Sequence, residues 1–319
     1  MSYQEQINEK AGYRPFDLAT LIYIGFQLTI FVIFSRSNPG PYDVMGIFLT
    51  RLGMISLYLA AALIVLLFSF VPPNGYFKLI RFIYPLFMIT FLYEALKSQI
   101  FFIHGYPYDG VIVSIEHSIL GFDSSFALQQ YMSYTLNEIM SFFYISYYFL
   151  IPIAIVLLAF KAAWKSLEKF TFGALVTFFI CYGIFIFFPV VGPRLYLADI
   201  YYLPLLGPFF TTLASRIVET GGLHGGAMPS SHCGVALVAI WYIIKEYKSL
   251  SFPGIFILVM LCISTIYGRY HYLSDVIVGL SLGGICIWLT SRWQDWYMRG
   301  KEPAPVKHTV EVKEIGVDG

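Results

Sequence analysis

The octapeptide GRYHYLSD, residues 268–275, joins the last two long apolar segments of the chain. His271 and Asp275 are four residues apart, so on a helix they share a face and lie one turn apart. Titratable groups at the end of a membrane helix are costly to keep there, which makes a functional role the default hypothesis. The structural alternative is an interfacial histidine capped by a nearby carboxylate. The pair by itself leaves both interpretations open.

Two further polar clusters shift the balance toward function. The sequence MPSSH, residues 228–232, opens another apolar segment, and FPVVGPR, residues 188–194, follows a third. Each cluster lies where a predicted membrane helix begins or ends. The sequence therefore predicts one site that is assembled from three distant parts of the chain.

Composition places the chain in a membrane. Of its 319 residues, 58% are hydrophobic and 12% charged, and the mean hydropathy is +0.71. A soluble domain of this length does not have such a composition, and a net charge of +1 gives no indication of a nucleic-acid partner. The four cysteines lie in apolar segments without metal-finger spacing, so we interpret them as core residues.

The fold is predicted to be all-α, a polytopic membrane helical bundle of about eight transmembrane helices. The predicted spans are residues 17–35, 47–71, 77–96, 138–160, 170–190, 229–246, 252–268 and 271–293. The first span lacks a small-residue cleavage site and is interpreted as a retained helix.

Three regions follow from these spans. Residues 1–76 comprise a polar N-terminal segment and two additional transmembrane helices, and residues 77–293 form a six-helix core. Residues 294–319 are a polar tail, which we predict to be disordered. The core contains two long connecting segments, 97–137 and 191–228, which could cover a site at the membrane surface. The alternative is two ordinary surface loops, although loops of this length usually carry function or disorder.

The distribution of basic residues predicts the orientation. With eight spans both termini lie on one side, and 14 of the 20 Lys and Arg residues fall on that side. Cytoplasmic loops carry the excess of such residues, so both termini are predicted to be cytoplasmic. All three polar clusters then lie at the extracytoplasmic face of an integral protein of the cell membrane.

The MPSSH stretch has the features of an anion site. Pro229 suits the first turn of a helix, and the N–H groups of Ser230, Ser231 and His232 are then expected to point at a bound phosphate. His232 would lie beside that phosphate and could exchange a proton with a leaving oxygen. The alternative is that Ser230 only caps the helix.

The remaining candidates fit phosphoryl transfer. A carboxylate on one imidazole nitrogen, here Asp275 on His271, leaves the other nitrogen free to attack phosphorus. Arg194 and Arg269 would bind the phosphate oxygens, although a single arginine more often reaches toward lipid headgroups. His224, in a glycine-rich turn, is a possible substrate contact.

The stretches FPVVGPR, MPSSH and STIYGRYHYLSD resemble the three motifs of the type-2 phosphatidic acid phosphatase superfamily, which shares its fold with vanadium haloperoxidases. The resemblance covers roughly residues 77–293. It implies a metal-independent and cofactor-free lipid phosphate phosphatase with His271 as nucleophile, His232 as acid and base, and Asp275 as the orienting carboxylate. Its substrate would be a lipid-linked phosphate, and its intermediate a phosphohistidine.

The motifs also depart from the family pattern. The first motif, K-x6-R-P, has Phe187 and Leu195 at its Lys and Pro positions, and the third has Thr265 at its Arg position. The GPR form, HGGAMPSSH and an Arg two residues before the His are similar to the inositol phosphorylceramide synthase branch. That branch transfers a phospho-headgroup between lipids, so a headgroup transferase is the alternative function.

Two other classes remain open at this stage. One is a metal-dependent hydrolase with His224, His232, His271 and Asp275 as ligands, which a chelator would inhibit. The other is a transporter without chemistry, in which His271→Ala would retain flux. The clustering of polar residues at one surface, away from mid-membrane, argues against a transporter.

Overall fold

Apolar segments of about 20 residues can satisfy their backbone groups in lipid only by forming helices. A computed structural model, which describes residues 12–37, 42–44, 46–75 and 77–299, contains twelve α-helices within those ranges. They are α1 Pro15–Phe34, α2 Arg51–Ser69, α3 Phe77–Lys97, α4 Asp109–Leu120, α5 Ser124–Leu128, α6 Tyr134–Phe160, α7 Trp164–Phe187, α8 Pro193–Tyr196, α9 Phe210–Gly221, α10 Ser231–Glu246, α11 Ser251–Tyr267 and α12 Leu273–Arg299. Strands β1 Tyr42–Val44 and β2 Ile47–Leu49 form a short antiparallel hairpin between α1 and α2.

The predicted all-α membrane bundle is confirmed. Seven of the described helices, α1, α2, α3, α6, α7, α11 and α12, are long and apolar enough to cross a membrane. The remaining predicted span is α10, which has only 16 residues and therefore falls short of that length. It packs against four longer helices, α6, α7, α11 and α12.

Both long connecting segments contain helices. The segment 97–137 holds α4 and α5, which are bent by 67° at a short break, an arrangement typical of a broken span or a re-entrant loop. The segment 191–228 holds α8 and the amphipathic helix α9. At the other end of the core, α12 continues to Arg299, whereas we predicted its end near 293. Residues 300–319, the rest of the predicted tail, lie outside the described residues.

Glycines allow α10 and α12 to cross closely. A Cβ atom on Gly279 would lie 2.3 Å from the carbonyl oxygen of Ser230, and one on Gly234 would lie 2.7 Å from the carbonyl oxygen of Gly279. Small residues spaced four apart, such as Gly279 and Gly283, let membrane helices approach at backbone distance. The crossing brings the N-terminus of α10 against the first turns of α12.

The N-terminal helices pack directly on the core. Arg81 on α3 forms a fully buried ion pair with Asp17 on α1, and Arg14 pairs with the buried Glu168 on α7 at 3.1 Å. The ring of Tyr23 stacks on Phe179 of α7 with centroids 4.4 Å apart. Helix α1 is therefore integrated into the bundle through both apolar and ionic contacts.

Candidate active site

The two histidines of the predicted site meet. His232 is the second residue of α10, and His271 lies in the turn between α11 and α12. Although they are 39 residues apart, the Nε2 atom of His271 lies 3.3 Å from the Nδ1 atom of His232. The close crossing of α10 and α12 at Gly279 places both rings at the same end of the bundle.

A backbone carbonyl orients His271. Its Nδ1 atom lies 2.8 Å from the carbonyl oxygen of Ala227. Because a carbonyl can only accept, Nδ1 carries the proton and the Nε2 lone pair faces His232. Burial lowers the pKa of His271 to about 4, so the ring is neutral near pH 7.

Asp275 plays a less direct part than the sequence indicated. Its Oδ2 atom lies 3.5 Å from Nδ1 of His271 and accepts the N–H of Tyr272 at 2.9 Å. The carboxylate is fully buried, and its Oδ1 atom has no hydrogen-bond partner among the described residues. Asp275 therefore lies next to the ring without orienting it, while the carbonyl of Ala227 fixes the tautomer.

The N-terminus of α10 is partly capped. The hydroxyl of Ser230 accepts the N–H of Cys233 at 3.4 Å, so Ser230 does act as the N-cap. The expectation that the N–H of Ser230 points at a phosphate was wrong, because it donates to the carbonyl oxygen of Asp275 at 2.9 Å. In the described part of the chain, the N–H groups of Ser231 and His232 remain as first-turn donors without an internal acceptor.

Arg194 lies at the edge of the site. It belongs to the short helix α8, and its backbone N–H donates to the carbonyl oxygen of Arg269 at 2.8 Å. Its guanidinium is partly exposed, donates to Glu219 on α9 at 3.2 Å, and lies 5.8 Å from the ring centre of Tyr270. The Tyr270 ring stacks on Tyr144, which in turn contacts His232.

Arg269 points into the connecting segments. It has a left-handed φ of 63°, and its buried guanidinium donates to the carbonyl oxygen of Leu203 at 2.6 Å. Its guanidinium carbon also lies 3.9 Å from the ring centre of Tyr201, and Gln129 lies beside it at 3.5 Å. Burial lowers the pKa of Arg269 from its usual value. These contacts tie the turn that carries His271 to both connecting segments.

Tyrosines surround the outer side of His232. The ring centres of Tyr144, Tyr147 and Tyr148 lie 5.6, 4.5 and 6.5 Å from that of His232. These three rings therefore pack against the imidazole itself.

His224 is exposed and lies in the segment between α9 and α10. The adjoining residues form a parallel bridge with the first motif, in which the N–H of Ala227 donates to the carbonyl oxygen of Val190 at 2.8 Å. Among the described residues, His224, His232, His271 and Asp275 do not form a group that could hold a metal ion.

Two buried carboxylates of α4 were missed by the sequence reasoning. Asp109 accepts the N–H groups of Val191 and Gly192, each at 2.8 Å, and the hydroxyl of Tyr272 at 3.0 Å. Glu116 accepts the N–H of Ser274 at 2.9 Å. Their spacing of seven residues, which places both on one helix face, was a signal that could have identified them.

Comparison with known proteins gives the family. The model of the PAP2 superfamily matches residues 111–289, which is more than half of the chain. A PA-phosphatase related-family protein of Dictyostelium discoideum is 28% identical over 127 residues, which cover 39% of this chain and 23% of that protein. The chain thus spans less than a quarter of the length of this curated relative. No solved structure matches significantly. The three motifs and helices α5 to α11 lie within the matched residues, which also include most of α4 and the larger part of α12, and the chain belongs to the PAP2 superfamily.

Proposed function

We propose that this protein is an integral-membrane enzyme that removes the phosphoryl group from a lipid phosphate through a phosphohistidine intermediate. The observation that carries the proposal is the 3.3 Å contact between His271 and His232 at the N-terminus of a buried helix. Membership of the PAP2 superfamily supports phosphatase-type chemistry, and seven apolar helices support a membrane setting.

The first step joins nitrogen to phosphorus. The Nε2 lone pair of His271 attacks the phosphorus atom and the bond to the lipid oxygen breaks. His232, which takes up a proton when the anionic phosphate binds beside it, gives that proton to the leaving alkoxide. The 3.3 Å separation is that of a hydrogen bond, so an entering phosphoryl group replaces this contact. Asp275, 3.5 Å from Nδ1, stabilises the positive charge that the ring gains.

The second step restores the enzyme. His232, now neutral, takes a proton from water, whose oxygen attacks phosphorus and displaces His271 as inorganic phosphate forms. During both steps the N–H groups of Ser231 and His232 and the dipole of α10 face the equatorial oxygens. Arg194 supplies the nearby cation, and Arg269 supports the turn that carries His271. His224 remains a possible substrate contact.

The excess of basic residues on the terminal side supports cytoplasmic termini and an extracytoplasmic active site. The site then faces lipid headgroups of the outer leaflet.

A second candidate is a phospho-headgroup transferase similar to inositol phosphorylceramide synthase. The observation that favours it is the loss of cations from the motifs, with Phe187 and Thr265 at positions where the family pattern has Lys and Arg. The same two steps operate, except that a lipid hydroxyl replaces water as the acceptor.

One experiment tests both candidates. The purified full chain is given phospholipids or prenyl phosphates that carry labelled phosphate, with and without an acceptor lipid and EDTA. Release of free labelled phosphate supports the phosphatase, and label on a second lipid supports the transferase. His271→Ala should abolish either reaction, whereas His117→Ala, an exposed histidine on α4, should retain it. Turnover that survives in His271→Ala would overturn both candidates and favour a different class of protein.

A further inference from the structure

Helix α4 places a fully buried carboxylate between two motifs of the active site. Asp109 has no exposed surface. Its Oδ2 atom accepts the N–H of Val191, and its Oδ1 atom accepts both the N–H of Gly192 and the hydroxyl of Tyr272. Two of these donors immediately precede the helix that carries Arg194. The third belongs to the residue after His271.

The same helix holds the start of α12. Glu116 is buried and accepts the N–H and hydroxyl of Ser274, at 2.9 and 3.2 Å, and the hydroxyl of Ser124 at 3.0 Å. Ser274 lies in the first turn of α12, where unpaired N–H groups favour a carboxylate. The chain immediately after His271 is therefore held at two points from one helix face, by Asp109 through Tyr272 and by Glu116 through Ser274.

We propose that Asp109 is a positioning residue, which sets the location of Arg194 relative to His271 by bonding the chain next to each of them. This inference rests on the proposed function, because it concerns the geometry of that reaction. Asp109 bonds to both motifs but belongs to neither of them. Its loss would let the motifs shift, and a displacement of about 1 Å between reacting groups lowers rates by about 10²-fold.

The arrangement requires a carboxylate. An asparagine at position 109 has one acceptor oxygen and one N–H₂ donor. It would have to turn the donor toward the N–H of Val191, or else toward the N–H of Gly192 and the hydroxyl of Tyr272. Either orientation leaves a buried donor without a partner, and the two motifs lose their common support.

The test measures kcat with a lipid phosphate and the inhibition constant of inorganic phosphate, on purified full-length protein. Asp109→Asn should lower kcat about 10- to 100-fold and weaken phosphate inhibition. In an Arg194→Ala background, the same change should leave phosphate inhibition within about 2-fold, because residues that act through one another are not additive. Additive effects, or a wild-type kcat in Asp109→Asn, would overturn the inference.

Controls separate positioning from folding. Glu138→Gln removes another carboxylate that accepts backbone N–H groups, those of Phe210 and Thr211 at the start of α9. Glu138→Gln should lower the melting temperature but leave kcat close to that of the wild type. Where Asp109→Asn does not fold, Tyr272→Phe removes one of the three bonds and should lower kcat by a smaller factor; an unchanged kcat there would also overturn the inference. Activity that persists in His271→Ala defeats the proposed function itself, whatever Asp109 does.

Discussion

A single methyl group on Gly279 should separate the two histidines. The Cβ atom of an alanine at this position would lie 2.3 Å from the carbonyl oxygen of Ser230, the N-cap of the helix that carries His232. Because non-bonded carbon contacts are favourable only near 3.5 Å, the N-terminus of α10 must move by about 1 Å from α12. This movement should increase the distance between the Nε2 atom of His271 and the Nδ1 atom of His232, which is 3.3 Å in the wild type.

The cost in rate should exceed the cost in stability. A displacement of about 1 Å between reacting groups lowers the rate about 10²-fold. Overpacking a helix contact costs about 1–3 kcal/mol of stability. We therefore expect Gly279→Ala to remain folded, with a melting temperature a few degrees lower, while kcat for phosphate release falls by about two orders of magnitude. Both are measured on protein that elutes as a single species in detergent.

Gly284→Ala is the matched control. Gly284 belongs to the same helix, and a Cβ atom there meets no heavy atom within 4 Å. This variant should keep wild-type kcat and stability. If Gly279→Ala retains full activity, or if both variants lose it equally, the claim that the helix crossing sets the distance between the histidines is refuted.

Two further predictions concern protonation and the buried ion pair. Since the pKa of His271 is lowered to about 4, the acid limb of kcat/KM, corrected for substrate ionisation, should lie near pH 4, and a limb near 6.5 would contradict this. As the pH falls, His271 takes up a proton in the unfolded chain before it does so in the folded protein. Its contribution to the free energy of unfolding is therefore complete above about pH 6.5 and is lost progressively toward pH 4. Arg81→Met leaves Asp17 buried without its cation and should cost about 3–5 kcal/mol in chemical unfolding. The double variant Asp17→Asn/Arg81→Met should recover part of that loss, and no recovery would show that charge is not the cause.

The helices and the proximity of His271 to Asp275 could be predicted because local patterns specify them. Apolar length defines the spans, and Ser230 marks the start of α10 as its N-cap. The expectation that Pro229 lies in the first turn was wrong, because it precedes the N-cap. The four-residue spacing of His271 and Asp275 predicted their proximity, which the structure gives as 3.5 Å. These features depend on residues that are close together in the sequence, so they can be predicted from the sequence without knowledge of the fold.

Other features depend on contacts between distant segments. The group that orients His271 is the backbone carbonyl of Ala227. Every residue type carries such a carbonyl, so the sequence gives no signal for it. The direction of Arg269 follows from its left-handed φ, which sequence rarely predicts for a residue other than glycine. Glu219, the partner of Arg194, comes from an amphipathic helix 25 residues further along the chain. Asp109 lies in the segment 97–137, for which we predicted only that it could cover the site. Its donors come from Val191, Gly192 and Tyr272, which are far from it in the sequence.

The departures from the family motifs bear on the charge of the substrate. Thr265 is fully buried and its hydroxyl lies 3.9 Å from the sulfur of Cys233, so a guanidinium at this position would force α11 away from α10. Phe187 packs toward Phe26 of α1, with ring centres 6.1 Å apart, where the family pattern has a lysine. Arg269 is directed to Leu203 and does not replace the missing charge at position 265.

In the proposed site, the positive charge next to the phosphate therefore comes chiefly from Arg194 and the N-terminus of α10. Fewer fixed cations weaken the binding of a dianionic phosphate monoester more than that of a monoanionic diester, because the Coulomb energy scales with the ligand charge. A diester is the donor that a headgroup transferase requires. Charge balance thus favours the second candidate on substrate binding, whereas the histidine geometry serves both candidates equally. For this reason the labelled-lipid experiment should include a diester donor together with a hydroxyl acceptor.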